Sequence, residues 1–351
     1  MPTTPHHGVA VSSPAIGPGT ALAPSGKVRD EFRALTSTCG VYQLNSRAKI
    51  GLTGSDRVRW LNGMVTNNVR DLTVNHGIYA FLLNPQGHIL GDLLAYNLGD
   101  RILVDTDASQ VAKIRATFDH YIIMDDVEVL DLTDEAAAVG IAGPDSEKVL
   151  RAAGFELPEL QALQVAEILW RETKVRLVRG EHERDRSFEI WASRGEVDKI
   201  HAALSEAGAV PIGETALELY RIALGIPRYG QDIRERDLPQ ETEQQRALNF
   251  NKGCYVGQEI VERIRSRGNV HRKFTGLRID GPRPENGAKI QLQDKDIGEI
   301  TTAAVIPACD GDQVVALGYI RREASNSGKE VRVGESAARV SELPFADLFG
   351  Q

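Results

Sequence analysis

Between residues 48 and 207 the chain spells out one order of elements twice, and this limits its fold more than any other feature. Ala48–Thr53 alternates as a strand. Ser55 stands where an N-cap belongs, and Val58, Leu61 and Val65 make a helical stripe after it. The patterns of Gly77–Leu83, Ile89–Asn97 and Arg101–Thr106 predict strands, the last two joined by the turn pair Gly99-Asp100. Ser109 opens a helix with Val111, Ile114, Phe118 and Tyr121 on one side, and Val127–Leu132 predicts a strand. The order is β-α-β-β-β-α-β.

A similar order returns. Ala136–Ala142 predicts a strand, then Pro144 begins a helix and Gly154 stops it. Strands follow at Val165–Trp170, Lys174–Val178 and Ser187–Ala192. A helix over Glu196–Ala207 is closed by Gly208. Each set resembles the split βαβ unit of ferredoxin-like folds, although no residue-level repeat is visible. Glu214–Leu224 predicts a further helix. Residues 225–251 are irregular and too long for an ordinary connection, the kind of loop that is usually functional or disordered. After Gly268 short strands separated by Gly, Pro and Asp predict a small β-barrel from about residue 272 to the end.

The expected class is therefore α+β, two ferredoxin-like units followed by a C-terminal barrel. The expected division is a disordered arm (1–29), a first unit (30–135 with 213–268), a second unit (136–212) and the barrel (269–351). The arm carries Pro2, Pro5, Pro14, Pro18 and Pro24 and lacks the apolar core of a signal peptide. His6-His7 within it reads as bland rather than metal-binding.

A length of 351 residues, 42% hydrophobic and 26% charged, excludes disordered, collagen-like and disulfide-rich classes. The net charge of -8 argues against an overall nucleic-acid or membrane footprint but leaves room for a local basic patch. No apolar run approaches the ~20 residues of a membrane span. Three cysteines, Cys39, Cys254 and Cys309, form no CxxC pair and fit a reducing, cytoplasmic setting. No metal site is expected, and Cys39 and Cys309 read as ordinary thiols.

Cys254 is different. Lys252 and Gly253 precede it and a helix begins a few residues later. A nearby ammonium and helix N-terminal N–H groups both favour a thiolate. Gly253 and Gly257 permit close approaches or unusual backbone geometry. The thiol is either reactive or ligand-donating, or it is a loop cysteine of no consequence.

The string Lys252-Gly253-Cys254-Tyr255-Val256-Gly257-Gln258-Glu259 resembles the signature of the YgfZ-type folate-binding proteins. Supporting likenesses are Leu238-Pro239-Gln240-Glu241-Thr242, Leu61-Asn62-Gly63-Met64, Thr66-Asn67, Asn84-Pro85-Gln86-Gly87, Tyr229-Gly230 and Val315-Ala316-Leu317-Gly318-Tyr319. The resemblance covers roughly residues 40–345. It implies the fold of the glycine cleavage aminomethyltransferase (T-protein), two ferredoxin-like layers and a barrel around a folate pocket. It further implies a tetrahydrofolate-binding accessory factor for assembling, maturing or repairing iron–sulfur enzymes. Those include radical-type tRNA methylthiolation enzymes, and Cys254 would be the functional centre. The alternative is a folate-dependent one-carbon transferase like the T-protein; whether the chain is an enzyme stays open.

The same resemblance assigns the pocket. Asp92 falls where the transferases carry an acidic pair, here Gly91-Asp92, so half of the pair is missing. Asp92 would move a proton or steer a cationic centre, or it is a strand residue bonding its own backbone. Glu189 matches the carboxylate that grips the pterin, or it is an exposed alternating residue. Tyr79 either stacks on the ring or fills core. Arg221 would pair with Asp92 or with the folate glutamate carboxylate. The basic run Arg263, Arg265, Arg267, His271, Arg272 and Lys273 could take a folate tail, a tRNA backbone or an acidic partner. The reading of a solvated helix end is preferred. Expected partners are folate and iron–sulfur client enzymes or assembly factors. Nucleic acid is possible but unsupported, and no membrane is expected.

Overall fold

The computed structural model describes residues 24–181, 186–268, 270–308 and 311–349. The chain opens with α1 (Gly26–Ser37) and β1 (Gly40–Gln43). The first repeat is β2 (Arg47–Thr53), α2 (Arg57–Met64), β3 (His76–Leu83), β4 (Ile89–Asn97), β5 (Ile102–Asp107), α3 (Val111–Tyr121) and β6 (Glu128–Asp131). The second is β7 (Ala137–Ala142), α4 (Ser146–Ala152), β8 (Val165–Trp170), β9 (Thr173–Arg179), β10 (Phe188–Ala192), α5 (Arg194–Glu206) and β11 (Val210–Pro211). Helices α6 (Glu214–Leu224) and α7 (Gln258–Arg267) follow. The last part is β12 (Arg272–Asp280), β13 (Lys289–Leu292), β14 (Lys295–Ala308), β15 (Gly311–Arg321), β16 (Glu330–Val333) and β17 (Ser336–Ser341).

The strands form a five-stranded sheet, β3-β4-β5-β2-β6, a six-stranded sheet, β11-β1-β7-β10-β9-β8, and a closed barrel, β12-β15-β14-β13-β16-β17. This is the α+β class with a terminal barrel that the sequence predicts. The differences are local. Helix α1 begins at Gly26, inside the stretch expected to be a disordered arm, with Ser25 accepting the Val28 N–H as its cap. His6-His7 and Cys309 lie outside the described residues. Residues 40–43, assigned to the first unit without a predicted strand, form β1, which pairs with β7 and β11 in the second sheet. Ser55 does not cap α2; its N–H and hydroxyl both bond Asp126 Oδ2 at 2.8 Å.

Side-chain alternation explains how the two sheets meet. Ile50, Leu52, Ala80, Leu82, Leu93, Ala95, Ile102 and Val104 point one way and pack on Trp60, Leu61, Ile114 and Phe118 of α2 and α3. In the second sheet Val139, Ile141, Leu177 and Ile190 pack on Val149 of α4 and on Ile200 and Leu204 of α5. Each sheet therefore wears its helices outside. The opposite faces meet, joining Tyr96, Leu103 and Leu132 to Val165, Val178 and Trp191 in one cluster. Tyr96 and Trp191 touch edge to face at 4.9 Å. At the rim, Gly77 N–H bonds Leu163 O and Val165 N–H bonds Asn75 O. Helix α6 docks on the barrel through Leu219 and Ile222, which cluster with Phe274, Val315 and Leu317.

The long connection after α6 is ordered and contains 3-10 turns at Pro239–Thr242 and Gln245–Ala247. It ends against the β3–β4 turn. Gly257 has φ +83°, and a Cβ there would stand 2.5 Å from Asn84 O. Gly253 has neither constraint, since nothing lies within 4 Å of its Cβ position and its φ is not positive. The close approach expected of both glycines belongs to Gly257 alone. Gly257→Ala is expected to lower the urea-unfolding free energy by about 2 kcal/mol, the left-handed penalty plus the clash. Gly253→Ala is expected to leave it within about 0.5 kcal/mol. Equal losses in the two variants would refute the assignment.

Candidate functional site

The inner face of the first sheet should be apolar by position, yet it carries ionisable groups. Cross-strand register sets Tyr79 opposite Leu94, Leu94 opposite Asp105, and Asp105 opposite Lys49; Asp92 lies opposite Phe81. Tyr79 is 8% exposed, Lys49 1% and Asp105 0%. Burying such groups is costly unless they are partnered; Tyr79 bonds Asp92, while Lys49 Nζ and Asp105 Oδ2 have no hydrogen-bond partner beyond their ion pair with each other.

Asp92 is held at both oxygens. Tyr79 OH donates to Oδ2 at 2.7 Å, and Gln110 Nε2 donates to Oδ1 at 2.7 Å. Gln110 Oε1 also accepts the Asp92 N–H at 3.0 Å, and Thr106 Oγ1 donates to the Asp92 carbonyl. A Cβ at Gly91 would stand 2.9 Å from Gln110 Oε1, the tip of the side chain that clasps Asp92. Each Asp92 oxygen accepts one hydrogen bond and retains a lone pair for a second. Tyr79 presents no open ring. Arg246 lies 4.4 Å from its ring centroid and Phe81 meets it edge-on. Burial, then Asp92, push the Tyr79 phenol well above its usual range, against the pull of Arg246. Tyr79 is thus a core residue whose hydroxyl orients Asp92.

Glu189 comes from β10 of the facing sheet. Trp191 Nε1 donates to its Oε2 at 2.8 Å, and Lys49 Nζ lies 3.8 Å from the same oxygen. Its side chain is 25% exposed, and no donor among the described residues is bonded to Oε1. Arg47 bonds Asp105 and lies in the field of both Glu189 and Asp92. Burial works against its charge, but Asp105, Glu189 and Asp92 hold its pKa above the usual range.

Arg221 stands elsewhere. Its guanidinium bonds Glu218 at 2.7 and 2.9 Å and Asp232 Oδ2 at 2.9 Å. Asp232 Oδ1 in turn accepts from Thr301 and Thr302 of the barrel. The expected pairing with Asp92 or a folate carboxylate is replaced by a joint between α6 and the barrel, because nearer carboxylates take the charge.

The Lys252–Glu259 string is split between inside and outside. Lys252 is 6% exposed, and its ammonium donates to Asn62 O, Val65 O and Asn67 O at 2.6, 2.6 and 2.7 Å. Burial, reinforced by Arg70, pushes this group down to about 7. Three carbonyl acceptors nevertheless require three N–H donors, which only the ammonium has. The expected ammonium beside the thiol is therefore corrected: Lys252 closes the carbonyl end of α2. Tyr255 is buried in one cluster with Tyr79, Phe81, Leu83 and Val261. Cys254 between them is exposed. Helix α7 starts only at Gln258, after the cap Gly257, so Cys254 does not sit on its first turn. Glu259 is exposed and pairs with Arg263 at 2.6 Å.

The basic run is largely neutralised. Arg265 pairs with Glu262, Arg272 with Asp237 and Glu241, and Lys273 with Glu243. The Arg267 side chain lies outside the described residues. Sequence reasoning missed Arg47, Lys49, Asp105, Gln110, Trp191 and Arg246. For Lys49 and Asp105 a signal existed: charged residues inside otherwise apolar strands.

Two outcomes follow from this geometry. Lys252→Met removes the donor from three carbonyls and is expected to cost about 3 kcal/mol in urea unfolding, without changing the alkylation rate of Cys254. A loss below about 0.5 kcal/mol would refute the capping role. In a Cys309→Ser background, a disulfide reagent at pH 8 is expected to titrate Cys254 rapidly and Cys39 only after denaturation. Cys39 is 1% exposed and burial pushes its thiol up to about 11. Rapid reaction of both native thiols would contradict this.

Comparison with known proteins agrees with this architecture. A sequence model of the GCVT N-terminal domain matches residues 23–252, and one of the glycine cleavage T-protein C-terminal barrel domain matches residues 272–347. An aminomethyltransferase of Halothermothrix orenii is 26% identical over 331 residues, covering 90% of each chain. A protein of Arabidopsis thaliana named putative transferase At1g60990, chloroplastic, is 25% identical over 308 residues, 87% of this chain and 71% of that one. Among solved structures, the glycine cleavage system aminomethyltransferase T from Bartonella henselae aligns with a TM-score of 0.82 at 22% identity. It covers 92% of this chain and 90% of its own, a likeness of fold. The chain belongs to the glycine cleavage T-protein family.

Proposed function

We propose that this chain binds tetrahydrofolate or a derivative between its two sheets and acts on the one-carbon unit the folate carries, like the aminomethyltransferases it is similar to. The observation that carries this reading is Glu189, a partly exposed carboxylate with Oε2 held by Trp191 and Oε1 without a protein donor among the described residues. A 2-amino-4-oxo pyrimidine edge offers paired N–H donors to such an acceptor. Reduced folate, when bound, supplies the amine nitrogens that carry the carbon unit. Asp92 supplies a carboxylate fixed by Tyr79 and Gln110, able to accept or return a proton or to face a cationic centre. Arg246 adds a cation beside Tyr79.

A second reading is favoured by Cys254. Its thiol is exposed on a segment pinned by Lys252 and Tyr255 on either side, which presents it outward on a fixed base. In this reading the folate-bound protein serves iron–sulfur enzymes, tRNA-modifying ones among them, as an accessory factor. One thiol cannot hold a cluster alone, so the client or assembly partner contributes the other ligands.

Anaerobic calorimetry with tetrahydrofolate tests both. The wild type is expected to bind saturably, Glu189→Gln to bind about tenfold or more weakly, and Cys254→Ala to bind normally. Aminomethyl transfer lost in Asp92→Asn would carry the transferase reading. Loss of iron–sulfur enzyme activity in cells bearing Cys254→Ala, with binding intact, would carry the accessory reading. Absence of binding by the wild type would overturn both.

A further inference from the structure

Lys49 and Asp105 form an ion pair sealed from solvent, with side chains 1% and 0% exposed and Nζ 2.5 Å from Oδ2. They lie directly opposite each other on β2 and β5. A pair so enclosed is a poor stabiliser, because desolvating two charges costs as much as their attraction returns; apolar residues of similar volume often do as well or better. Its neighbours point to another role. Beyond Asp105, the groups that the ammonium faces are on β10 of the other sheet: Glu189 Oε2 at 3.8 Å and the Trp191 ring centroid at 4.6 Å. Trp191 Nε1 bonds that same Glu189 oxygen at 2.8 Å. Asp105 is steadied from its other oxygen by Arg47 Nε and Nη2, at 2.9 and 2.8 Å. A chain of charge thus runs from Arg47 through Asp105 and Lys49 to Glu189 and crosses between the sheets.

We infer that the Lys49–Asp105 pair is a positioning device for Glu189, holding a fixed positive charge behind Oε2 and clamping Trp191, so that Oε1 is the oxygen presented to a ligand. This rests on the reading in which Glu189 takes the pterin edge. Lys49 and Asp105 themselves are closed off by the strands. They act through Glu189 and are positioning residues.

The test is the double variant Lys49→Met/Asp105→Leu, compared with Glu189→Gln and with the triple variant. Tetrahydrofolate is titrated into each, and thermal midpoints are read without ligand. Removing Asp105 also leaves Arg47 without its carboxylate, so the double variant is expected to fold with a lowered midpoint while its Kd rises about tenfold. Adding Glu189→Gln to it should weaken binding less than twofold further, because the carboxylate is already misplaced. Trp191 emission, isolated as the difference from Trp191→Phe, is expected to shift in the double variant. A Kd within twofold of wild type would overturn the inference. So would a failure to fold, since the pair would then be holding the sheets together. Weak binding by Glu189→Gln beside normal binding by the double variant sinks the positioning role alone. Normal binding by Glu189→Gln sinks the pterin reading of Glu189 and the inference with it.

Discussion

Three backbone carbonyls converge on one ammonium, and much of the site depends on that contact. Asn62 O, Val65 O and Asn67 O close the end of α2 and the bend after it, and Lys252 arrives from a segment 185 to 190 positions further along. With the two stretches joined, Thr66 Oγ1 donates to Ala247 O and accepts from Phe81 N–H. Asn67 Nδ2 reaches both Tyr79 O and Arg246 O. These bonds lay Arg246 on the Tyr79 ring, and the Tyr79 hydroxyl fixes Asp92. A loop that reads as irregular is therefore tied at every turn to the strand carrying the acid. Unpaired backbone groups inside a protein are costly, and this accounts for so many side-chain amides and hydroxyls along the seam.

The second organising feature is that the two sheets meet through charge as well as through apolar surface. Tyr96, Leu103, Val178 and Trp191 supply the ordinary packing. Arg47, Lys49 and Asp105 replace what could have been aliphatic rows, and they converge on Glu189. Groups of this kind are partnered completely or they destabilise. Here Lys49 Nζ and Asp105 Oδ2 are buried with no hydrogen-bond partner beyond their ion pair to each other, and the partly open Glu189 lies at the end of this chain of charge. The position of Asp92 follows a related logic. Gln110 clasps both its carboxylate and its own N–H, and it occupies the space that a side chain at residue 91 would need.

Much of the architecture was legible in order and periodicity. Helix α6 and strand β8 fall on the ranges that periodicity predicts, and the barrel begins at Arg272. Helix α1 was hidden because Pro24 and Gly26 flank its start and read as breakers; proline is compatible with the turn before a helix. Strand β1 was missed because four residues are too short for a period to register. The pocket assignments for Asp92 and Glu189 came from a resemblance rather than from pattern. In pattern alone both are single polar positions on alternating strands.

The sequence by itself determined the local elements, since hydrophobic period and turn residues act over a few positions. It also marked the Lys252–Glu259 string as unusual. Only the tertiary structure decided where the charges go. Lys252 turned inward to carbonyls 185 and more residues away, Arg221 was claimed by Asp232, and Lys49 was set beside Glu189 across two sheets. The physical reason is that electrostatic partners are chosen by distance in space and by loss of water. Neither quantity is written in the spacing of residues along the chain.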